Sequence, residues 1–200
     1  MSRTLASATT VLLLCATACV TRVPVDGRKA EDLDFKLSMH AWMEEGRIAT
    51  VIVDTLATRD RGPEPYVPLE IIVANNGLKM VTLTRESFTL VDAAGNRYPA
   101  AGPRELLERY EFLDRDRELA ELTGIVANKF ATYRLYPSQF SPSRSEPQIV
   151  RDQVALPKFG LIHDLLYFPS PPNGVMGQRF ELFVDATELE DPLFVKFEVR

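Results

Sequence analysis

Hydrophobic and polar positions alternate with a period of two over much of the chain, and turn residues punctuate the alternation. Leu33, Phe35, Leu37, Met39 and Ala41 fall on one side of the register, and Asp34, Lys36, Ser38 and His40 fall on the other. That pattern predicts a strand with one buried face. Glu44-Glu45-Gly46 supplies a turn, and the β-branched run Ile48, Val51, Ile52 and Val53 within 47–58 predicts its hairpin partner. Gly62, Pro63 and Pro65 mark a loop. Val67, Leu69, Ile71 and Val73 then alternate and stop at Asn75-Asn76-Gly77, a turn signal because Asn and Gly tolerate positive φ. Further strands are predicted at 78–83, from Phe88 to Val91, at 149–156, at 161–168, at 179–184 and at 193–199, with hairpin turns at 92–96 and 170–174.

Residues 103–122 break this rhythm. Pro103 suits a first helical turn, and Leu106, Tyr110 and Leu113 recur at helical spacing among charged residues, with Leu107 widening the stripe. The pattern predicts an amphipathic helix that caps one end of a β-layer or serves as a partner-binding arm. Between 125 and 140, Val126, Phe130 and Tyr133 fit a helix whereas Ala131, Tyr133 and Leu135 fit a strand. A helix followed by a short strand is expected. Many short strands at this spacing indicate a mainly β protein, an antiparallel β-sandwich with one or two inserted helices.

Two stretches carry a family resemblance. The run from Pro68 to Gly77, followed by Ser87-Phe88-Thr89-Leu90-Val91-Asp92-Ala93-Ala94-Gly95-Asn96-Arg97-Tyr98, resembles immunoglobulin-like domains of uncharacterised bacterial surface lipoproteins. There, a strand ends in an Asn-rich turn, and a later strand reads Phe-x-Leu-x-Asp before a Gly hairpin and an aromatic. The resemblance implies an Ig-like sandwich and specifies fold rather than activity. Trp42 is the only tryptophan and no Cys-Trp-Cys pattern exists, so the antibody-type core is not expected.

The N-terminus reads as an address. Arg3, the apolar run Val11-Leu12-Leu13-Leu14-Cys15 and the small residues Ala16-Thr17-Ala18 follow the order of an export signal. The apolar run is too short to cross a bilayer, which takes about 20 residues. Ala16-Thr17-Ala18-Cys19 resembles the lipobox of bacterial lipoproteins, with Ala16 where Leu is usual. The resemblance implies cleavage before Cys19 and lipidation of its sulfur, with fatty acyl chains such as palmitate. Val20, rather than Asp, implies delivery to the outer membrane. Residues 1–18 are then the signal peptide, 19–31 a lipidated tether and 32–200 one Ig-like domain with a helical insertion near 103–122.

Charge and chemistry narrow the function classes. Cys15 and Cys19 are the only cysteines, so a mature chain acylated at Cys19 keeps neither a free thiol nor a disulfide. Lys and Arg number 23 against 28 Asp and Glu, and the central arginines are interleaved with acids. This balance gives no general electrostatic reason to bind nucleic acid.

His40 and His163 are the only histidines and lack metal-ligand spacing. His163 precedes Asp164, but neighbours on a strand face opposite ways, so no catalytic pair is expected. No Gly-x-Ser-x-Gly or phosphate-cradling loop occurs, and no metal or cofactor is called for. Tyr133, Tyr136 and Phe140, beside a Ser/Pro loop, are the candidate partner-binding aromatics. The expectation is a non-enzymatic lipoprotein that binds an envelope protein or polysaccharide, or supports an assembly. The alternative is an envelope-polymer hydrolase using carboxylates such as Asp114, Asp116 and Glu190.

Overall fold

The computed structural model describes residues 28–29, 39–120, 126, 128–145 and 149–200. The expected export signal at 1–18, Cys19 and the alternation from Leu33 to Ser38 lie outside the described residues.

Two strands of ten residues organise the fold: β4 (Tyr66–Asn75) and β10 (Gly160–Pro169). They pair antiparallel from Leu161 opposite Ala74 to Pro169 opposite Tyr66. Every β4 residue is buried: the alternating Val67, Leu69, Ile71 and Val73 enter the common core, and Ile72 and Ala74 on the opposite face are covered as well. Beside β4 lie β3 (Ala49–Asp54), β2 (Ala41–Glu45) and β1 (Arg28–Lys29), and β8 (Arg134–Leu135) runs parallel to β10 on the other flank. These six strands form one sheet in the order β1-β2-β3-β4-β10-β8. β3 stops opposite Glu70, and Pro68 sits beyond that point. There the short helix α1 (Leu56–Arg59) covers the edge and the Thr58 hydroxyl donates to the Pro68 carbonyl, so the missing N–H interrupts no β3 ladder.

The second sheet has the order β12-β11-β6-β7, from β6 (Phe88–Asp92), β7 (Arg97–Pro99), β11 (Arg179–Val184) and β12 (Leu193–Glu198). A ribbon of β5 (Met80–Thr84) and β9 (Gln153–Pro157) completes the strands. Alternate residues from all three sheets meet in one core: Val51, Val53, Leu69 and Ile71 from the first, Leu90, Leu182 and Val195 from the second, Val81 and Leu156 from the ribbon. The protein is a mainly β sandwich with inserted helices, the class expected from its pattern.

The outer face of the six-stranded sheet is covered in two places. Phe130, with Val126 and Tyr133, packs on Met43, Ile52 and Ile72. Leu106, Tyr110 and Leu113 pack on Tyr66, Leu165 and Tyr167. The single helix expected over 103–122 is instead α2 (Pro103–Arg109) and α3 (Leu113–Glu118). The chain leaves the helical path at Tyr110, which is extended at φ −133°. The break lets Tyr110 drop its ring against Tyr167, centroids 5.3 Å apart, while its hydroxyl donates to Asp116 at 2.6 Å.

Two turns differ from expectation. β2 runs on through Glu45, so the reversal falls at 46–48 rather than on Glu44-Glu45-Gly46. The turn expected at Asn75-Asn76-Gly77 because those residues tolerate positive φ is a crossover from β4 to the ribbon. The amides of Asn76 and Gly77 donate to Ile48 O, and Asn75 Nδ2 donates to the carbonyls of Leu78 and Leu156. Gly77 is not among the glycines with positive φ; a Cβ there would lie 2.8 Å from the Arg47 carbonyl oxygen. Close approach, rather than handedness, requires the glycine.

Candidate binding surface

The three aromatics singled out by sequence do not form one surface. Phe140 has no exposed area and sits in the common core, its ring centroid 6.1 Å from that of Phe88. It is a core residue and leaves the candidate set. Its place is fixed by Asp164, whose carboxylate accepts the Phe140 N–H at 2.9 Å and the Ser138 hydroxyl at 2.7 Å. Tyr133 is half-buried, donates to Asn76 Oδ1 at 3.0 Å and packs edge-on against Phe130 and Phe159. Tyr136 is half-buried against the core edge, with the Arg134 guanidinium 5.3 Å from its ring centre.

The titratable candidates are committed elsewhere. His163 and Asp164 face opposite sides of β10, as alternation requires. His163 Nε2 lies 2.5 Å from Glu70 Oε1, whereas Asp164 turns to Ser138 and Phe140. Burial pushes the Asp164 carboxyl above its ordinary range, against the lowering effect of the donors around it. Asp116 is fully buried and receives Arg61 Nε at 2.8 Å, and desolvation likewise raises it. Asp114 accepts the Ser143 hydroxyl and the backbone amides of Arg144 and Ser145, which hold it below the usual carboxylate range. Glu190 is exposed on the loop between β11 and β12. Asp92 accepts from the amides of Ala94 and Asn96 and the hydroxyl of Tyr98, with Gly95 at φ +85°, which makes it the staple of a hairpin. Among the described residues, no group of three His, Cys, Asp or Glu converges to hold a metal ion.

One concavity was not anticipated. A cleft of about 610 Å³ opens where Trp42 of β2 meets the 92–95 hairpin, the start of β11 and the end of β12. Outward-facing residues of the second sheet supply charge: Arg179 Nε lies 3.6 Å from Glu198, Arg200 Nε 3.3 Å from the same carboxylate, and Lys196 Nζ 3.9 Å from Glu181. The Arg200 guanidinium stands 5.8 Å from the Trp42 ring centre.

No His, Ser or Cys occurs among the described lining residues. Trp42 is itself buried in the common core and only lines the floor of the cleft, so what the cleft offers a ligand is chiefly its guanidinium, ammonium and carboxylate groups, which can hydrogen-bond a polar partner. The sequence signal for this site was present in the polar positions of the two final strands, Arg179/Glu181 and Lys196/Glu198. Nothing in the pattern, however, showed that Trp42, more than a hundred residues earlier in the chain, would stand beside them.

No family model and no curated protein matches this chain. Among solved structures, a presumed lipoprotein of Bacillus subtilis, ycdA, is similar at 14% identity and a TM-score of 0.40. The match covers 78% of this chain and 38% of ycdA, so the chain spans well under half of that protein. The yjhA protein of Bacillus subtilis is similar at 9% identity and a TM-score of 0.42, over 78% of this chain and 96% of its own length. At these values neither carries a function across.

Proposed function

We propose that the protein is a lipid-anchored, non-enzymatic binding domain of the bacterial envelope, tethered through Cys19 and offering the Trp42 cleft to an envelope protein or polysaccharide. The observation that carries the anchor is Ala16-Thr17-Ala18-Cys19 directly after a short apolar run. No helix among the described residues is long and apolar enough to cross a membrane, so attachment by acyl chains is the reading that fits the signal. Val20 favours the outer membrane by analogy with sorted lipoproteins, and the likeness of 68–98 to surface-lipoprotein domains supports an Ig-like sandwich as the cargo. Binding rather than catalysis is supported by where the carboxylates go, since Asp114 and Asp116 are spent on holding the helical corner.

Replacement Cys19→Ala tests the anchor: incorporation of labelled palmitate is expected to vanish and the protein to leave the membrane fraction. An unchanged membrane fraction would overturn the proposal. Crosslinking in intact cells tests the cleft, with Arg200→Ala expected to lose a partner that the unaltered chain captures reproducibly. Capture that Arg200→Ala leaves intact would remove the cleft from the account.

A further inference from the structure

The end of the sandwich opposite the cleft has a composition unlike the rest of the surface. Three connections meet there: the β2–β3 turn, the β4–β5 crossover and the β9–β10 turn, bound together by Asn76 Nδ2 to Gly46 O at 2.7 Å and Phe159 N to Asn75 O at 2.8 Å. Half of the exposed large apolar side chains among the described residues gather at this end: Ile48 (43% exposed), Met80 (41%), Leu135 (53%) and Phe159 (49%). Exposed cations are interleaved with them, namely Arg47, Lys79 and Lys158.

Phe159 is held in a left-handed conformation, φ +62°, which strains a bulky side chain. Its amide and its carbonyl are both engaged, the carbonyl by Arg134 N at 2.9 Å, so the ring is presented outward from a rigid turn. Tyr133 supports the ring edge-on at 5.4 Å, and Lys158 Nζ lies 5.1 Å from its centre.

The direction of the chain gives this end an occupant. β1 enters antiparallel to β2 with Arg28 opposite Met43 and Lys29 opposite Trp42, so the chain comes into the sheet from the side of the β2–β3 turn. Cys19 is nine residues before Arg28, a reach of at most about 30 Å. We infer that the basic and apolar corner of this end, around Arg47, Ile48, Lys158 and Phe159, docks on the anionic phospholipid headgroups of the membrane that holds the lipid anchor, leaving the Trp42 cleft pointing away from the bilayer. The inference rests on the proposed acylation of Cys19.

Interfacial aromatic and aliphatic side chains enter the headgroup boundary while Lys and Arg meet lipid phosphates. Acids also stand at this end. Glu45 is paired with Lys129 at 2.8 Å, and the β11–β12 loop brings Asp185, Glu188, Glu190 and Asp191 on the side of the second sheet. Leu189 of that loop packs near Ala49 and Asn75. The domain therefore leans, with the corner around Ile48 and Phe159 down and the acidic loop raised.

The acylated mature chain, in vesicles of phosphatidylethanolamine and phosphatidylglycerol, provides the test. With Cys19 blocked by lipid, Ile48→Cys, Glu190→Cys and Met176→Cys each offer a single thiol for a nitroxide, the last beside Gly62 at the cleft end. The label at 48 is expected to be shielded from an aqueous nickel chelate and exposed to dissolved oxygen. Labels at 190 and 176 are expected to remain open to the chelate. Equal accessibility at 48 and 176 overturns the inference, as does shielding at 48 that persists in pure phosphatidylcholine or in Arg47→Glu/Lys158→Glu.

Flotation of the same samples reports the anchor separately, so a chain that floats without shielding at 48 refutes docking alone. Should the anchor fail, the Cys19→Ser chain still decides the matter. It is expected to sediment weakly with phosphatidylglycerol vesicles, losing more than about fivefold per cation reversed to Glu. Equal sedimentation with phosphatidylcholine refutes docking.

Discussion

Replacing Asp116 tests whether a buried ion pair pins the helical corner to the sandwich. The carboxylate has no exposed surface and takes Arg61 Nε at 2.8 Å and the Tyr110 hydroxyl at 2.6 Å. Arg61 is 7% exposed and its guanidinium lies 4.4 Å from the centre of the Phe112 ring. In Asp116→Asn the shape is kept and the charge is lost, leaving a cation sealed against a ring without its counterion. Breaking one side of such a pair costs about 3–5 kcal/mol. Tyr110→Phe removes only a neutral donor and leaves the Arg61 pair intact, so its cost is about 1–3 kcal/mol.

The decisive variant replaces all three groups, Arg61→Met, Tyr110→Phe and Asp116→Leu, and removes the need for pairing. It is expected to recover most of the stability lost by Asp116→Asn, because apolar residues of similar volume often match a buried ion pair. Urea unfolding of the chain from residue 20 onward, followed by far-UV circular dichroism and by Trp42 fluorescence, supplies the values from coincident transitions. A cost for Asp116→Asn below about 1 kcal/mol, typical of an exposed pair, would refute the reasoning. So would a triple variant no more stable than the single one.

Other expectations follow from the same contacts. Phe140→Ala should destabilise by about 3–5 kcal/mol as a core cavity; a stable Phe140→Ala chain that had lost a partner would restore Phe140 to the binding surface. Gly77→Ala should cost about 1–3 kcal/mol because its methyl meets the Arg47 carbonyl, and a neutral result in thermal unfolding would contradict that close approach. Asp164 has a raised carboxyl, so the folded state takes up its proton before the unfolded state does. Its effect on stability therefore grows as pH falls from neutral toward the ordinary carboxyl range and is lost as pH rises. The stability of the unaltered chain relative to Asp164→Asn should rise on acidification, and a relative stability that falls would reverse the sign argued here.

Elements whose burial follows locally from residue type were legible in the sequence. The alternating runs around 66–75, 88–92 and 179–184 are strands, and Asp92 to Asn96 is a hairpin. Long-range pairing was not legible. β4 finds its main partner in β10 and β5 in β9, choices made by packing between halves of the chain rather than by either strand's own pattern.

The break between α2 and α3 was hidden because Tyr110 and Leu113 keep helical spacing on both sides of it, while the destination of the Tyr110 hydroxyl, Asp116, carries no periodic signal. Phe140 was open to two readings, ligand surface or core, because it adjoins a Ser/Pro loop; the buried carboxylate of Asp164, which holds that loop to the sheet, accompanies its place in the core. The cleft combines Trp42 with residues of β11 and β12 across two sheets, so no window of sequence contains it.

The pairing of β4 with β10 also sets an order of events. A sandwich whose central ladder joins residues 66–75 to 160–169 gains little from its early strands until the later one is available, and such non-local closure is slow. A chain emerging N-terminus first stays open through most of its length, the condition under which a polypeptide can be threaded through a narrow channel. A chain ending at residue 159 should show rapid amide exchange throughout β4, whereas a chain ending at 200 should protect it.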